Sequence, residues 1–421
     1  MGAMTPLTSF VLAAAAVLPT NDWPAWRGPT GDGVATSPSA PLEWDAKKNV
    51  KWRVALAQPA NGSPIVSNGR VFLTMPGDAE GKQRGLHCYD RASGKELWAR
   101  TVTFDKVMPT HKTNPYCGST PASDGERVVV WHASAGLHCY DFDGKELWQR
   151  DLGEFSHQWG YGTSPLLHDG KVILHTGPGA VSFVTALDLE TGETVWRADE
   201  PSHLDAEARA KKRLVGSWCT PLITRAGDRE LIVCAHPTRV CAYDPRDGSV
   251  VWSCDGLVSE KGDLTYSSPV LGDGVCMVAG GYDGPTLGVR IDGAGDVTRT
   301  HRVWRNERQM SNCGSGVYAD GHFFIPDMGG FLWCIDAKTG ARKWRERVAR
   351  GNTWGSVVAA AGRLYLMHQN GTTVVFEPSA EKLAVLAEND LGEQTNSTPA
   401  IADGELFLRT HEHLYCIASE R

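Results

Sequence analysis

Apolar and polar positions along this chain repeat one short pattern. Leu86-His87-Cys88-Tyr89-Asp90-Arg91-Ala92-Ser93-Gly94-Lys95-Glu96-Leu97-Trp98 reads as an apolar strand, a polar turn and a second apolar strand. The turn residues favour chain reversal, and the glycine is free to take a positive φ. The pattern returns from Leu137 to Trp148, Ala186 to Trp196, Ala242 to Trp252 and Cys334 to Trp344. Two further apolar runs precede each copy. In the first unit these are Ser63 to Val66 and Arg70 to Leu73, joined by Asn68-Gly69, a two-residue hairpin signal. Each unit is therefore predicted to hold four strands, A to D, with strand D of the first unit ending in Trp98.

Tryptophan marks strand D at Trp52, Trp98, Trp148, Trp196, Trp252, Trp304 and Trp344. A seventh unit, Gly355 to Leu391, puts Val385 near the tryptophan slot. The last unit, Ser397 to Cys416, has strands A, B and C only, while Lys51 to Leu56 is a lone strand D at the other end. Pairing the two completes an eighth sheet and closes a ring without open edges. The expectation is all-β: an eight-bladed β-propeller of four-stranded antiparallel blades over residues 45–421. Residues 21–44 form an irregular wrap, and Ala206 to Arg213, a polar stretch of good helix formers, a short surface helix or loop. The period-locked tryptophans are expected to dock one blade on the next.

Composition changes this picture little. A length of 421 residues suits a repeat architecture. A net charge of -7 offers no basic footprint and excludes nucleic acid as a partner. Phe10 to Leu18 is apolar and too short to span a membrane. Residues 1–20 read as a signal peptide, so the protein is expected to be exported, periplasmic or in the cell envelope, and monomeric. Of eleven cysteines, Cys88, Cys139, Cys241, Cys334 and Cys416 share the strand-C phase. They are expected to be buried thiols; no Cys-x-x-Cys pair suggests a zinc ribbon.

The D–A and B–C loops must meet on one rim of the channel, the upper face. Polar and aromatic groups accumulate there: His111, Tyr116, Cys117, His157, Gln158, Trp159, Tyr161, Trp218, Tyr266, Asn312, Trp354, His368, Asn396 and His411. They are the candidate ligand-binding residues of a funnel site. A hydroxyl opens strand A in every unit: Ser63, Thr120, Ser164, Thr220, Ser268, Ser315, Ser356 and Thr398. Such residues satisfy backbone groups near a crowded axis. No metal site is assigned, and no nucleophile elbow, phosphate loop or His-Glu-x-x-His is present.

The run Ala186-Leu187-Asp188-Leu189-Glu190-Thr191-Gly192-Glu193-Thr194-Val195-Trp196 resembles the repeat of pyrroloquinoline quinone (PQQ)-type propellers, from Trp52 onward. That group includes BamB, a non-enzymatic partner in outer-membrane protein assembly, and quinoprotein alcohol dehydrogenases, which use PQQ and calcium. Trp23-Pro24-Ala25-Trp26-Arg27-Gly28-Pro29 looks like the opening of exported PQQ-like proteins of planctomycete-type bacteria. The resemblance implies a ligand-binding or protein-interaction module working through the upper face; the alternative is a periplasmic PQQ-dependent oxidoreductase. The adjacent cysteine pair and the long insertions of the dehydrogenases have no counterpart here.

Overall fold

The computed structural model describes residues 21–179, 181–200 and 214–419. The expected leader and the Ala206 to Arg213 stretch lie outside them. Blade 1 runs from the axis outward as strand A (Ile65–Ser67), B (Arg70–Pro76), C (Gln83–Asp90) and D (Glu96–Thr103). Seven further sheets repeat this antiparallel order. The eighth joins Ala400–Ala402, Glu405–Arg409 and His413–Ala418 to Val50–Ala55, with Arg53 opposite Tyr415. Two ends of the chain thus share one sheet, as the strand deficit predicted. Gly295–Asp296 adds a parallel edge to blade 4. Leu214–Ser217 pairs in parallel with Gly262–Thr265.

Three details of the repeat differ from the sequence reading. Strand D does not end at Trp98; it continues to Thr103, with Trp98 its third residue. In blade 4 the residue opposite Trp252 is Ala242, while Cys241 opposes Ser253 and Cys234. In blade 7 the tryptophan slot holds Ala387, opposite Val375; Val385 lies two residues earlier and is exposed. One bulge explains the shift. Cys88 faces Trp98 but Tyr89 faces Glu96, so Leu97 is looped out. The same bulge leaves Leu147, Val195 and Val303 exposed.

The signature residues now have physical roles. Asp188 Oδ1 accepts from the Thr191 amide at 2.8 Å and from its hydroxyl at 2.9 Å, bracing the C–D turn. Gly192 at φ 72° follows, and a Cβ there would lie 2.6 Å from the Trp148 indole of the preceding blade. Gly94, Gly144, Gly248 and Gly340 sit under Trp52, Trp98, Trp196 and Trp304 in the same way. Each Nε1–H then donates to a carbonyl of that turn: Trp52 to Arg91, Trp98 to Phe142, Trp148 to Leu189, Trp196 to Pro245, Trp252 to Ile291, Trp304 to Ala337 and Trp344 to Ser379, at 2.8–3.1 Å. The residue facing the indole across the ladder is small, Cys88, Cys139, Ala186, Ala242, Gly288, Cys334 or Cys416. That leaves room for the ring.

At the axis the eight hydroxyl residues form a closed circle. Each backbone amide donates to the hydroxyl of the next blade, Ser63 to Thr120 and onward to Thr398, whose amide returns to Ser63 Oγ. These bonds are 2.9–3.1 Å. Residues 21–44 cross the opposite, lower end of the channel. Trp23 bridges to Val66 of blade 1, and Pro24 O accepts from Ser123 of blade 2. Gly33 and Ala35 bond Ala359 of blade 7. Between them the buried Arg27 donates to the carbonyls of Asp32, Gly316 and Val357, and Trp26 enters the channel with Nε1 3.4 Å from Ser268 Oγ.

Candidate functional site

The crossing segment turns the channel into a funnel open at the upper face. Trp26 forms part of the floor, and the hydroxyls of Ser63, Thr120, Thr220, Ser268, Ser315 and Ser356 lie in the lining. The D–A loops supply Asn61, His111, Thr113, Asn114, Trp159, Trp218, Tyr266, Cys313, Trp354 and Asn396, and the B–C loops supply Tyr282 and Met328. The cavity holds about 370 Å³, within the range of small-molecule pockets.

The lining is sorted by chemistry. Trp159, Trp218, Tyr266 and Tyr282 form one continuous wall, with ring centroids 5.2–6.2 Å apart. His157 braces it from behind, 4.8 Å from Trp218 and 5.5 Å from Trp159. Burial holds the His157 imidazole below its ordinary pKa. Trp218 is fixed by donating Nε1–H to Gly160 O at 2.9 Å. Asparagines of the lining also stitch neighbouring loops together. Asn114 Nδ2 donates to Trp159 O and Tyr161 O, and Asn61 and Asn396 both donate to Thr113 O. Asn61 Oδ1 remains a buried acceptor without a partner among the described residues.

Backbone strain also gathers at this rim. Left-handed non-glycine residues such as Asn68, Asp169 and Asp403 open A–B hairpins, each followed by glycine, where that conformation is normal. Tyr282 (φ 43°) and Asp283 (φ 55°) are different: they are consecutive, in a B–C loop, and aim an aromatic ring at the funnel. Such residues cost about 1–3 kcal/mol each and persist where the surroundings hold them. Here Ser311 Oγ accepts from the Asp283 amide and donates to its carboxylate.

Of the residues expected from sequence, His111, Trp159, Trp218, Tyr266, Trp354 and Asn396 line the funnel. Tyr116, Cys117 and Tyr161 line a separate cavity of about 30 Å³ beside it, with Arg84 and His132. Gln158 is exposed outside the lining, and Asn312 is buried and bonds Gly314 O. His368 is buried against Thr353 Oγ1, and its pKa is driven down to about 4 by burial. The His411 amide donates to Gln394 O. Trp26, Asn61, Tyr282, Cys313 and Met328 were not selected from sequence. Only the Gly-rich turn around Tyr282 carried any local signal.

Among the described residues, two groups have metal-ligand atoms within 4.8 Å of one another: His175, Cys234 and His236, and Glu393, Glu412 and His413. In the first, His175 is already bonded by Cys219 O and Ser182 Oγ, and His236 by Tyr243. In the second, Glu393 accepts from His413 and Tyr415. Both read as hydrogen-bond networks. All eleven cysteines are free; Cys234 lies nearest Cys219, at 3.9 Å between sulfurs.

The repeat geometry agrees with comparison to known families. The family described as outer membrane protein assembly factor BamB matches residues 82–346, 293–380 and 329–420. The chain belongs to the BamB family. This BamB-family chain is 22% identical to BamB of Yersinia pestis over 70% of its length and 72% of that protein. It is 27% identical to quinohemoprotein alcohol dehydrogenase ADH IIB of Pseudomonas putida over 32% of its length, which spans only 19% of that enzyme. The quinohemoprotein alcohol dehydrogenase structure from Comamonas testosteroni aligns with a TM-score of 0.67 and 15% identity, covering 96% of this chain and 81% of that one; this likeness speaks to fold alone.

The second relative raises the question of PQQ and calcium. PQQ is a tricarboxylate, and calcium takes six to eight oxygen ligands, typically including carboxylates. Among the described residues the funnel lining contains no Asp, Glu, Lys or Arg. Asp327 is spent on Arg345, Trp333 Nε1 and two backbone amides, and Asp283 on Lys261 and Ser311. The residues present do not fit that cofactor pair, and no chemistry is routed through it.

Proposed function

We propose that this protein is an exported binding module whose axial funnel takes a small uncharged ligand. The observation that carries the reading is the funnel itself: a cavity of about 370 Å³ with an aromatic wall, a hydroxyl floor and no Asp, Glu, Lys or Arg in its described lining. A charge entering such a site would lose its hydration without a counter-ion, whereas a neutral amphipathic molecule finds both kinds of partner. Export rests on the apolar leader pattern and on relatives whose names place them in outer-membrane assembly.

The test is a thermal-shift screen of neutral metabolites against the wild type and against Trp159→Ala/Trp354→Ala. Hits should stabilise the wild type and lose that effect in the double variant. Full retention of every shift in the variant would place binding elsewhere and overturn the reading. Soaked PQQ with calcium should give no shift and no dye-linked dehydrogenase activity.

A further inference from the structure

The ligand class follows from which hydrogen-bonding groups the funnel has left over. Every hydroxyl of the axial circle already accepts a backbone N–H from the preceding blade. All eight residues are at most 7% exposed. After that bond each hydroxyl keeps its O–H proton and a second lone pair, with Ser63 Oγ engaged again by Ser397 Oγ at 3.2 Å and Ser268 Oγ by Trp26 Nε1 at 3.4 Å. The floor therefore presents hydroxyls that can both donate and accept. A ligand's own hydroxyls find partners above it, while a cation finds no carboxylate in the described lining. Anions, in turn, meet no cationic side chain in the lining.

Against this floor stands an apolar wall on one side, Trp159, Trp218, Tyr266 and Tyr282, whose rings meet at tilted and edge angles of 35–89°. A ligand matching both has an apolar face to lie on aromatic rings, a rim of hydroxyls that accept and donate, and no net charge. That is the description of a pyranose. Resting on the funnel reading above, we propose that the site binds a neutral saccharide, with one sugar ring stacked on the Trp159–Trp218–Tyr266 wall and its oxygens toward the hydroxyl circle.

The experiment is calorimetric titration of the full chain with a panel of probes: methyl glucoside, methyl galactoside, cellobiose and maltose as neutral sugars, glucuronate as an anion, choline as a cation, and indole as an apolar neutral molecule. At least one neutral sugar should bind and quench tryptophan fluorescence. Glucuronate and choline should bind at least tenfold more weakly. Trp159→Phe should keep most of the affinity and Trp159→Ala lose at least tenfold, with both variants unfolding at the wild-type temperature. Indole binding that Trp159→Ala abolishes, with no sugar binding, overturns the saccharide class and leaves the funnel site standing. A sugar that binds equally well to Trp159→Ala, Trp354→Ala and the wild type overturns both. Tighter binding of choline than of any sugar overturns the saccharide class in favour of a cation cage.

Discussion

The amide of Thr398 donates to Ser63 Oγ at 3.0 Å, joining the last blade to the first across almost the whole chain. It closes the hydroxyl circle at the point where the polypeptide itself is open. Removing that hydroxyl leaves a buried N–H without a partner, which costs about 1–3 kcal/mol. Ser63→Ala is therefore expected to lower unfolding free energy by that amount in urea denaturation. Ser63→Thr keeps the acceptor, and threonine already serves at positions 120, 220 and 398, so it should stay within about 1 kcal/mol of wild type. Equal loss in the two variants would show that the hydroxyl is not what matters.

The blade docking can be tested with one matched pair. Gly248 and Gly227 both have positive φ, 72° and 61°. A Cβ at Gly248 would approach the Trp196 indole to 2.4 Å, while a Cβ at Gly227 meets nothing within 4 Å. Both alanine variants carry similar backbone strain, about 1 kcal/mol. Gly248→Ala should lose about 1–3 kcal/mol more, the range for forcing extra volume into a packed contact. Equal midpoints would mean the indole moves aside freely.

These two contacts show what the sequence could reveal. Anything locked to the period was legible: the four-strand unit, the missing strand D, the docking tryptophans and the hydroxyl at the start of strand A. His87 looked unexplained in isolation. Its Nδ1 lies 3.3 Å from Glu96, and His138 makes the same contact with Glu146 at 3.1 Å, so it too belongs to the repeat. The misplacement of Val385 has one cause, the bulge beside the tryptophan slot, which shifts register without leaving a residue signature. The funnel was only half legible because it depends on long-range geometry. Nothing near Trp26 says that its segment crosses the channel, and nothing near Asn114 says that its amide is consumed in joining loops.

Acid sensitivity follows from two buried imidazoles. His175 and His368 are both driven from 6.5 to about 4 by burial. Between these values the unfolded chain binds protons that the folded chain refuses, so stability falls as pH drops from 6.5 toward 4 and the effect is complete below 4. Each contributes on the order of 3 kcal/mol across that window. Urea midpoints should fall steadily over this range. His368→Gln should remove its share of the slope, alongside the other buried imidazoles such as His132 that burial also lowers, whatever it does to stability at neutral pH. An unchanged slope in that variant would show that carboxylates alone set the acid response.

Two thiols report on the funnel from different sides of its wall. Cys313 lines the funnel and Cys117 lines the adjoining 30 Å³ cavity, and both are half-buried while the other nine cysteines are buried. Burial pushes the Cys117 thiol up to about 11 and the Cys313 thiol up to about 12, with Arg84 and Arg409 drawing Cys117 down. The thiolate is the reactive form, so at pH 8 both should react with iodoacetamide at least tenfold more slowly than in urea, where all eleven become labelled. Raising the pH to 10 should accelerate the two together. A molecule seated in the funnel should then protect Cys313 and leave Cys117 unchanged, read by peptide mass spectrometry. Protection of Cys117 without Cys313 would mean that the small cavity, and not the funnel, is where ligands enter.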